Sequence, residues 1–319
     1  QGDGDVGETF MMPDGQVLIP MRRPAEQRSV GSHRKKGEKA NKKQMATVGV
    51  VYTVDPKVRT AEEVVAALFR DAPLKKGRKD QPVAQHKRVW SSLSMERDGE
   101  VCRGQDEVFR WMAAEHARRN PAGEKDIVCV MDGQSSLWND RRTYLPMNNV
   151  VEILDLLHVT PRLWEAAHLF HPEGSEEAAA FVRERMLGIL EGQVGYVIGG
   201  LRQMGTKRKL RGNRLKKLRQ ICNYLEKNRD RMRYDEYLAA GYPIASGIIE
   251  GACRYVVKDR MERAGMRWTI EGAQAMLDLR STYINGQWDE YQKYRIEQEN
   301  RRLYPHQKAL ECVTWPLAA

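Results

Sequence analysis

Cysteine is scarce in this 319-residue chain, and the five it has, Cys102, Cys129, Cys222, Cys253 and Cys312, are odd in number, widely spaced and free of any CxxC pair. That pattern excludes a zinc module and a disulfide scaffold, and it fits a reducing cytoplasm. No apolar run reaches the roughly 18 residues of a membrane span and no secretory leader is visible, so a membrane is not an expected partner. Histidine forms no metal cluster: His116 has no neighbour at ligand spacing and reads as a packed ring. There is no internal repeat. The start at Gln1 is not a natural initiation and leads us to expect an upstream segment.

What is abundant is positive charge. Lys and Arg total 53 against 43 Asp and Glu, for a net charge of +10 and a pI near 9.3, and the cations are clustered. A polyanionic partner is the first expectation. Between Arg22 and Lys43 nine cations, Lys35 and Lys36 among them, face only Glu26 and Glu38. Two readings stand side by side: a solvated loop, or a cationic segment that a phosphate backbone would order. From Ser175 to about Met232 the pattern is helical, broken near Gly205 and Gly212. Its second half sets Lys207, Arg208, Lys209, Arg211, Arg214, Lys216, Lys217 and Arg219 opposite a stripe of Leu210, Leu215, Leu218 and Ile221.

The rest of the chain mixes strands and helices, so a mixed α/β protein with one large or two ordinary domains is expected. Gln44 to Val54 predicts a strand stopped by Asp55-Pro56, and Ala61 to Arg70 a helix capped by Thr60. Ala72 to His86 has the composition of a flexible excursion. Gln105 to Asn120 predicts an amphipathic helix, Asp126 to Met131 and Val150 to Leu154 neighbouring strands, and Thr160 to Phe170 a helix carrying Trp164. Ile270 to Tyr283 and Trp288 to Arg302 predict closing helices.

Three acids stand out by setting. Glu250 lies in GYPIASGIIEGACRYVVKDRMERAGMRW, Gly241 to Trp268, where no breaker interrupts a helical pattern from Ile248 to Gly265. Helical steps from Glu250 reach Arg254 and Lys258, while Ile249, Cys253, Val256, Val257 and Met261 turn inward. An ordinary pair four residues apart would look the same. Asp132-Gly133 follows a short buried strand, the place where open α/β sheets gather ligands, and also common turn chemistry. Asp14 lies in ETFMMPDGQVLIPM, where a hairpin with a Pro-Asp-Gly turn competes with an acid on a strand; Asp3 is the alternative first acid. Three carboxylates in a basic chain without Cys or His clusters suit hard cations, Mg²⁺ first. Two such ions can activate a water or a 3′-hydroxyl for in-line attack on a phosphodiester.

The ordered segments PDGQVLIPMRRP, KGEKANKKQMATVGVVYTVDPKVRT, VCVMDGQSSLW, LDLLHVTPRLWEAAHLF and AAGYPIASGIIEGACRYVVKDRMERAGMRW span nearly the whole chain. Together they resemble a DDE transposase of bacterial insertion sequences, of the ISKra family, related to the Mutator-like transposases. The resemblance implies an RNase H-like core formed by residues 1–174 and 241–319, with an all-α insertion at 175–240 before the glutamate helix and C-terminal helices after it. It also implies catalytic, metal-holding acids at Asp14, Asp132 and Glu250, two Mg²⁺ ions with Mn²⁺ as a substitute, and site support from Asp155 and His158, which match an acid-x-x-histidine motif. DNA contacts are expected from Arg254, Lys258, Arg260, Arg263 and Arg267 with Lys35 and Lys36, while Trp268 packs. The implied activity is strand cleavage and strand transfer at transposon ends by a homodimer or larger assembly on double-stranded DNA, in a bacterial cytoplasm beside the nucleoid. Two other readings keep the same residues: a DNA-binding remnant without catalysis, and a nuclease that never joins strands.

Overall fold

From Ala46 to Val54 every side chain is buried, so this segment must be covered on both faces and lie inside a sheet. The structure is a computed structural model that describes residues 8–21, 43–71, 82–97, 99–262 and 266–305. It is a mixed α/β protein. Its main sheet has the order β3-β2-β1-β6-β7, built from β1 (Glu8–Pro20), β2 (Lys43–Val54), β3 (Gln85–Leu93), β6 (Ile127–Met131) and β7 (Val150–Leu154). β1 pairs antiparallel with β2, and β2 with β3, while β1, β6 and β7 run parallel. Two short strands, β4 (Met95–Arg97) and β5 (Glu100–Cys102), form a separate ribbon.

β1 corrects the hairpin expectation. Both of its apolar runs pair with the same partner, from Glu8 opposite Val54 to Pro20 opposite Lys43, with a shift of register between Met12 and Gly15. β2 is 12 residues long and spans both runs, so Pro13-Asp14-Gly15 is absorbed as an irregularity instead of reversing the chain. A bulge is where a strand tolerates a proline, which has no amide hydrogen to give to a ladder. The excursion expected from Ala72 to His86 also ends early: residues 72–81 lie outside the described ones, and Gln85 and His86 already belong to β3.

The sheet carries a core on each face. On one, Val51, Ile127, Cys129 and Met131 meet α2 (Gly104–Arg119) and α3 (Ser135–Tyr144) through Val108, Phe109, Met112, Leu137 and Trp138. Gly49 allows that approach, since a Cβ there would stand 2.5 Å from Val108 Cγ1. On the other face Val17, Ile19, Val48 and Val50 join one apolar cluster with the remaining helices. These are α1 (Ala61–Phe69), α4 (Leu156–Ala167), α5 (Glu176–Leu190), α6 (Val194–Lys207), α7 (Gly212–Lys227), α8 (Tyr234–Ala239), α9 (Gly247–Cys253), α10 (Asp259–Met261) and α11 (Ile270–Ile284). α12 (Trp288–Leu303) closes the described chain and buries no residue. Thr60 caps α1 as expected, in a reciprocal box with Glu63. α4 starts earlier than its sequence pattern implied, because Asp155 caps it through the Leu157 N–H. Among the described residues no helix is long and apolar enough to cross a membrane.

β3 is an edge strand, and α11 supplies it with substitutes for a further strand. The Leu93 N–H donates to Gln274 Oε1 at 2.8 Å while Gln274 Nε2 donates to the Ser91 carbonyl at 3.2 Å. Asn285 repeats the device, accepting from the Val89 N–H at 2.8 Å and donating to the Val89 carbonyl at 3.0 Å. Truncating Gln274 to Ala leaves a buried donor and a buried acceptor unmet, each worth about 1–3 kcal/mol. Urea unfolding of Gln274→Ala is therefore expected to show a stability loss of about 2 kcal/mol or more with an unchanged m value.

Candidate active site

Asp132 is the first residue after β6, half-buried, and its Oδ1 accepts the Gln134 N–H, a local turn that leads into α3. The parallel pairing of β1 and β6 runs to Met11 opposite Cys129. That register ends there: Asp14 lies beyond it, within the irregularity between Met12 and Gly15 of β1, and Asp132 lies just past the end of β6. Asp3 lies outside the described residues. Behind Asp132, Gly133 is pressed by the end of α7: a Cβ there would stand 2.5 Å from Tyr224 Cε2 and 2.7 Å from Asn228 Nδ2. The basic helix thus abuts the Asp132 turn, and its Lys227 ammonium donates to the Ser135 hydroxyl at the start of α3.

Asp155 is fully buried and ties four elements together. Its Oδ1 accepts the Leu157 N–H at 2.9 Å and the Ser246 N–H at 3.2 Å, and its Oδ2 accepts the Ser246 hydroxyl. Its own N–H donates to the Met131 carbonyl at 2.8 Å, and the next N–H, of Leu156, donates to Ile244 at 2.9 Å. The end of β6, the end of β7, the start of α4 and the segment entering α9 therefore meet on one residue, the first through its main-chain N–H and the last two through its carboxylate. His158 Nε2 stands 3.9 Å from Oδ2. Burial raises the Asp155 carboxyl above its ordinary range, against the hydrogen bonds from Ser246 and Leu157 and the charge of His158, which lower it. Burial, with Asp155 nearby, likewise raises the phenols of Tyr52 and Tyr234.

Glu250 is exposed on α9, while Ile249, Cys253, Val256, Val257 and Met261 are buried as the periodicity required. The helix is not uniform, however. Residues Arg254–Lys258 form a π-helical turn between α9 and α10, and Arg280 of α11 donates through both Nε and Nη2 to the Tyr255 carbonyl inside it. A donor inserted into the ladder is a physical cause of such a widened turn. Arg254 accordingly pairs with Asp259, five residues on, at 3.8 Å, where a regular helix joins residues three or four apart.

A cavity of about 660 Å³ lies on this helix, lined by Val17 of β1, His158, Ser246, Glu250, Arg254, Tyr255, Lys258 and Asp259 among others. The structure thus gathers Glu250, Arg254, Lys258 and His158 around one space, beside β1. Arg260 and Arg267 are exposed farther along, Arg263, Lys35 and Lys36 lie outside the described residues, and Trp268 packs, donating its indole N–H to the Met261 carbonyl at 3.3 Å. Among the described residues no group of three or more His, Cys, Asp or Glu is assembled as a metal site. Sequence reasoning missed Asp259, because nine residues beyond Glu250 is about two and a half regular turns, on the opposite face. It also missed Ser246, whose role becomes visible only through Asp155. Comparison with family profiles, curated proteins and solved structures gives no match.

Since burial raises the Asp155 carboxyl, the native state takes up its proton more readily than the unfolded chain does. The stability so gained is complete below the ordinary aspartate range and fades as pH rises through the raised value. Asp155→Asn keeps an oxygen for both amide donors and removes the buried charge, so equilibrium unfolding is expected to show equal or higher stability at neutral pH and a flatter acid profile. Asp155→Ala leaves the Leu157 and Ser246 N–H groups unmet and is expected to cost about 2–4 kcal/mol.

Proposed function

We propose that this chain is the catalytic region of a DDE-type transposase, which cuts DNA at the ends of an insertion sequence and joins the freed 3′-hydroxyl to target DNA, on an RNase H-like core. The observation that carries the reading is that the elements bearing these chain-distant acids border one strand. Asp14 belongs to β1, Asp132 follows β6, its parallel neighbour, and the Glu250 helix lines a cavity together with Val17 of β1. The strand order β3-β2-β1-β6-β7, antiparallel on one side of β1 and parallel on the other, is the sheet that such a core requires. The helical run α5–α8, between β7 and the Glu250 helix, stands where the insertion is expected.

The oxygen chemistry of the proposed ligands suits Mg²⁺. Asp132 has one carboxylate oxygen engaged by the Gln134 N–H, leaving Oδ2 to bind, and Glu250 faces the cavity. Asp14, Asp132 and Glu250 would hold the ions, which when bound supply an activated water or 3′-hydroxyl and a stabilised leaving oxygen. Asp155 positions: through Ser246 it fixes the start of α9, and through the Met131 carbonyl it fixes the strand end that precedes Asp132. Arg254 and Lys258 flank Glu250 and hold phosphate, while the exposed cations of α7 and the turn before it extend the positive surface from the Asp132 turn.

Supercoiled plasmid with Mg²⁺ tests cleavage, and a pre-cut duplex with a 3′-hydroxyl tests joining. Asp132→Asn and Glu250→Gln are each expected to lower both by about three orders of magnitude or more, with DNA affinity in a filter or gel assay within about threefold of wild type. A wild-type chain that binds but never nicks would mean the inactive remnant; one that nicks but never joins would mean a plain nuclease.

A further inference from the structure

We propose that the Tyr255 ring is a stacking platform for an unpaired DNA base at the cavity that holds Glu250. The proposal rests on the reading of that cavity as a DNA site. Tyr255 is 55% exposed although the next two residues, Val256 and Val257, are completely buried. Among the described residues no other ring stacks on it, and it lines the cavity together with Glu250, Arg254 and Lys258. An aromatic face flanked by cations is the combination by which proteins hold single-stranded nucleic acid, the ring taking the base and the cations the phosphates.

Two further features point to the same ligand. The backbone at Tyr255 is the part of the π turn that Arg280 clamps, so the ring is carried on a fixed mount and not on a fraying end. One turn earlier stands Gly251, and one turn before that Gly247, both on the cavity wall. Neither glycine is there for internal packing: a Cβ at 251 would lie 4.0 Å from its nearest atom, Tyr255 Cε2, and one at 247 would meet nothing within 4 Å. Glycine inside a helix, as at 251, is unfavourable where alanine would fit, and its recurrent use is to let another group approach the backbone. The strip Gly247, Gly251, Tyr255 presents bare backbone beside the ring, against which a planar base can lie. A base still paired in a duplex hides its face in the stack, so the occupant is an extruded or single-stranded one.

The test uses the full chain with a duplex bearing a single-stranded overhang that contains one 5-iododeoxyuridine, in Ca²⁺ so that no strand is cut. Irradiation is expected to produce an adduct mapped by mass spectrometry to Tyr255. Tyr255→Phe should retain overhang binding, whereas Tyr255→Ala and Gly251→Leu, which covers the ring face, should weaken it about tenfold while leaving blunt-duplex affinity unchanged. Adducts confined to other residues, or wild-type overhang affinity in Tyr255→Ala, would overturn the proposal. The catalytic reading is scored separately in Mg²⁺: a Tyr255 adduct in a chain that never nicks sinks catalysis and leaves stacking intact, and nicking with no Tyr255 effect sinks stacking alone.

Discussion

One buried carboxylate, that of Asp155, sets the geometry on which the rest of the site depends. Its oxygens take three donors from two segments, and its own amide closes on the residue before Asp132. A charged group in that position is costly unless every lone pair is met, and here the donors come from the places that must be held in register: the start of α4 and the residue before α9. The position of Glu250 relative to the end of β6 is therefore fixed through main-chain and side-chain hydrogen bonds that converge on a single residue, far from it in sequence.

Around that point the molecule separates rigid from exposed functions. The sheet is buried on both faces, and its open edge is finished by the amides of Gln274 and Asn285. α11, which carries Gln274 and is capped by Asn285, also carries Arg280, so the same helix that seals the sheet edge clamps the π turn beside Glu250. A second ionic knot does comparable work for the helical run. Burial alone would raise the Glu152 carboxyl, but bonds from Arg231 and Arg141 override it and hold it below its usual range, tying β7 to α3 and to the turn after α7.

Much of this was legible in the residues. β2, β6 and β7 were marked by short runs rich in β-branched and apolar residues, α1 by its Thr60 cap, and the inward face of the Glu250 helix by its period, because these features depend on neighbours within a few positions. The failures share one cause, a partner distant in sequence. Pro13-Asp14-Gly15 has the chemistry of a reversal, and only the length of β2 makes it an irregularity in one strand. The widened turn at Arg254–Lys258 depends on Arg280, 25 residues from Tyr255, and without it Asp259 counts to the wrong face. β3 was hidden because its edge is completed by side chains of α11 in place of a neighbouring strand.

The contact between Gly133 and the end of α7 has a mechanical consequence. With Tyr224 and Asn228 seated where any side chain at 133 would have to go, the cation-bearing helix and the aspartate turn share a rigid joint. Any movement of that helix would press on the turn that carries Asp132, since the two meet across a space that only a hydrogen atom fills.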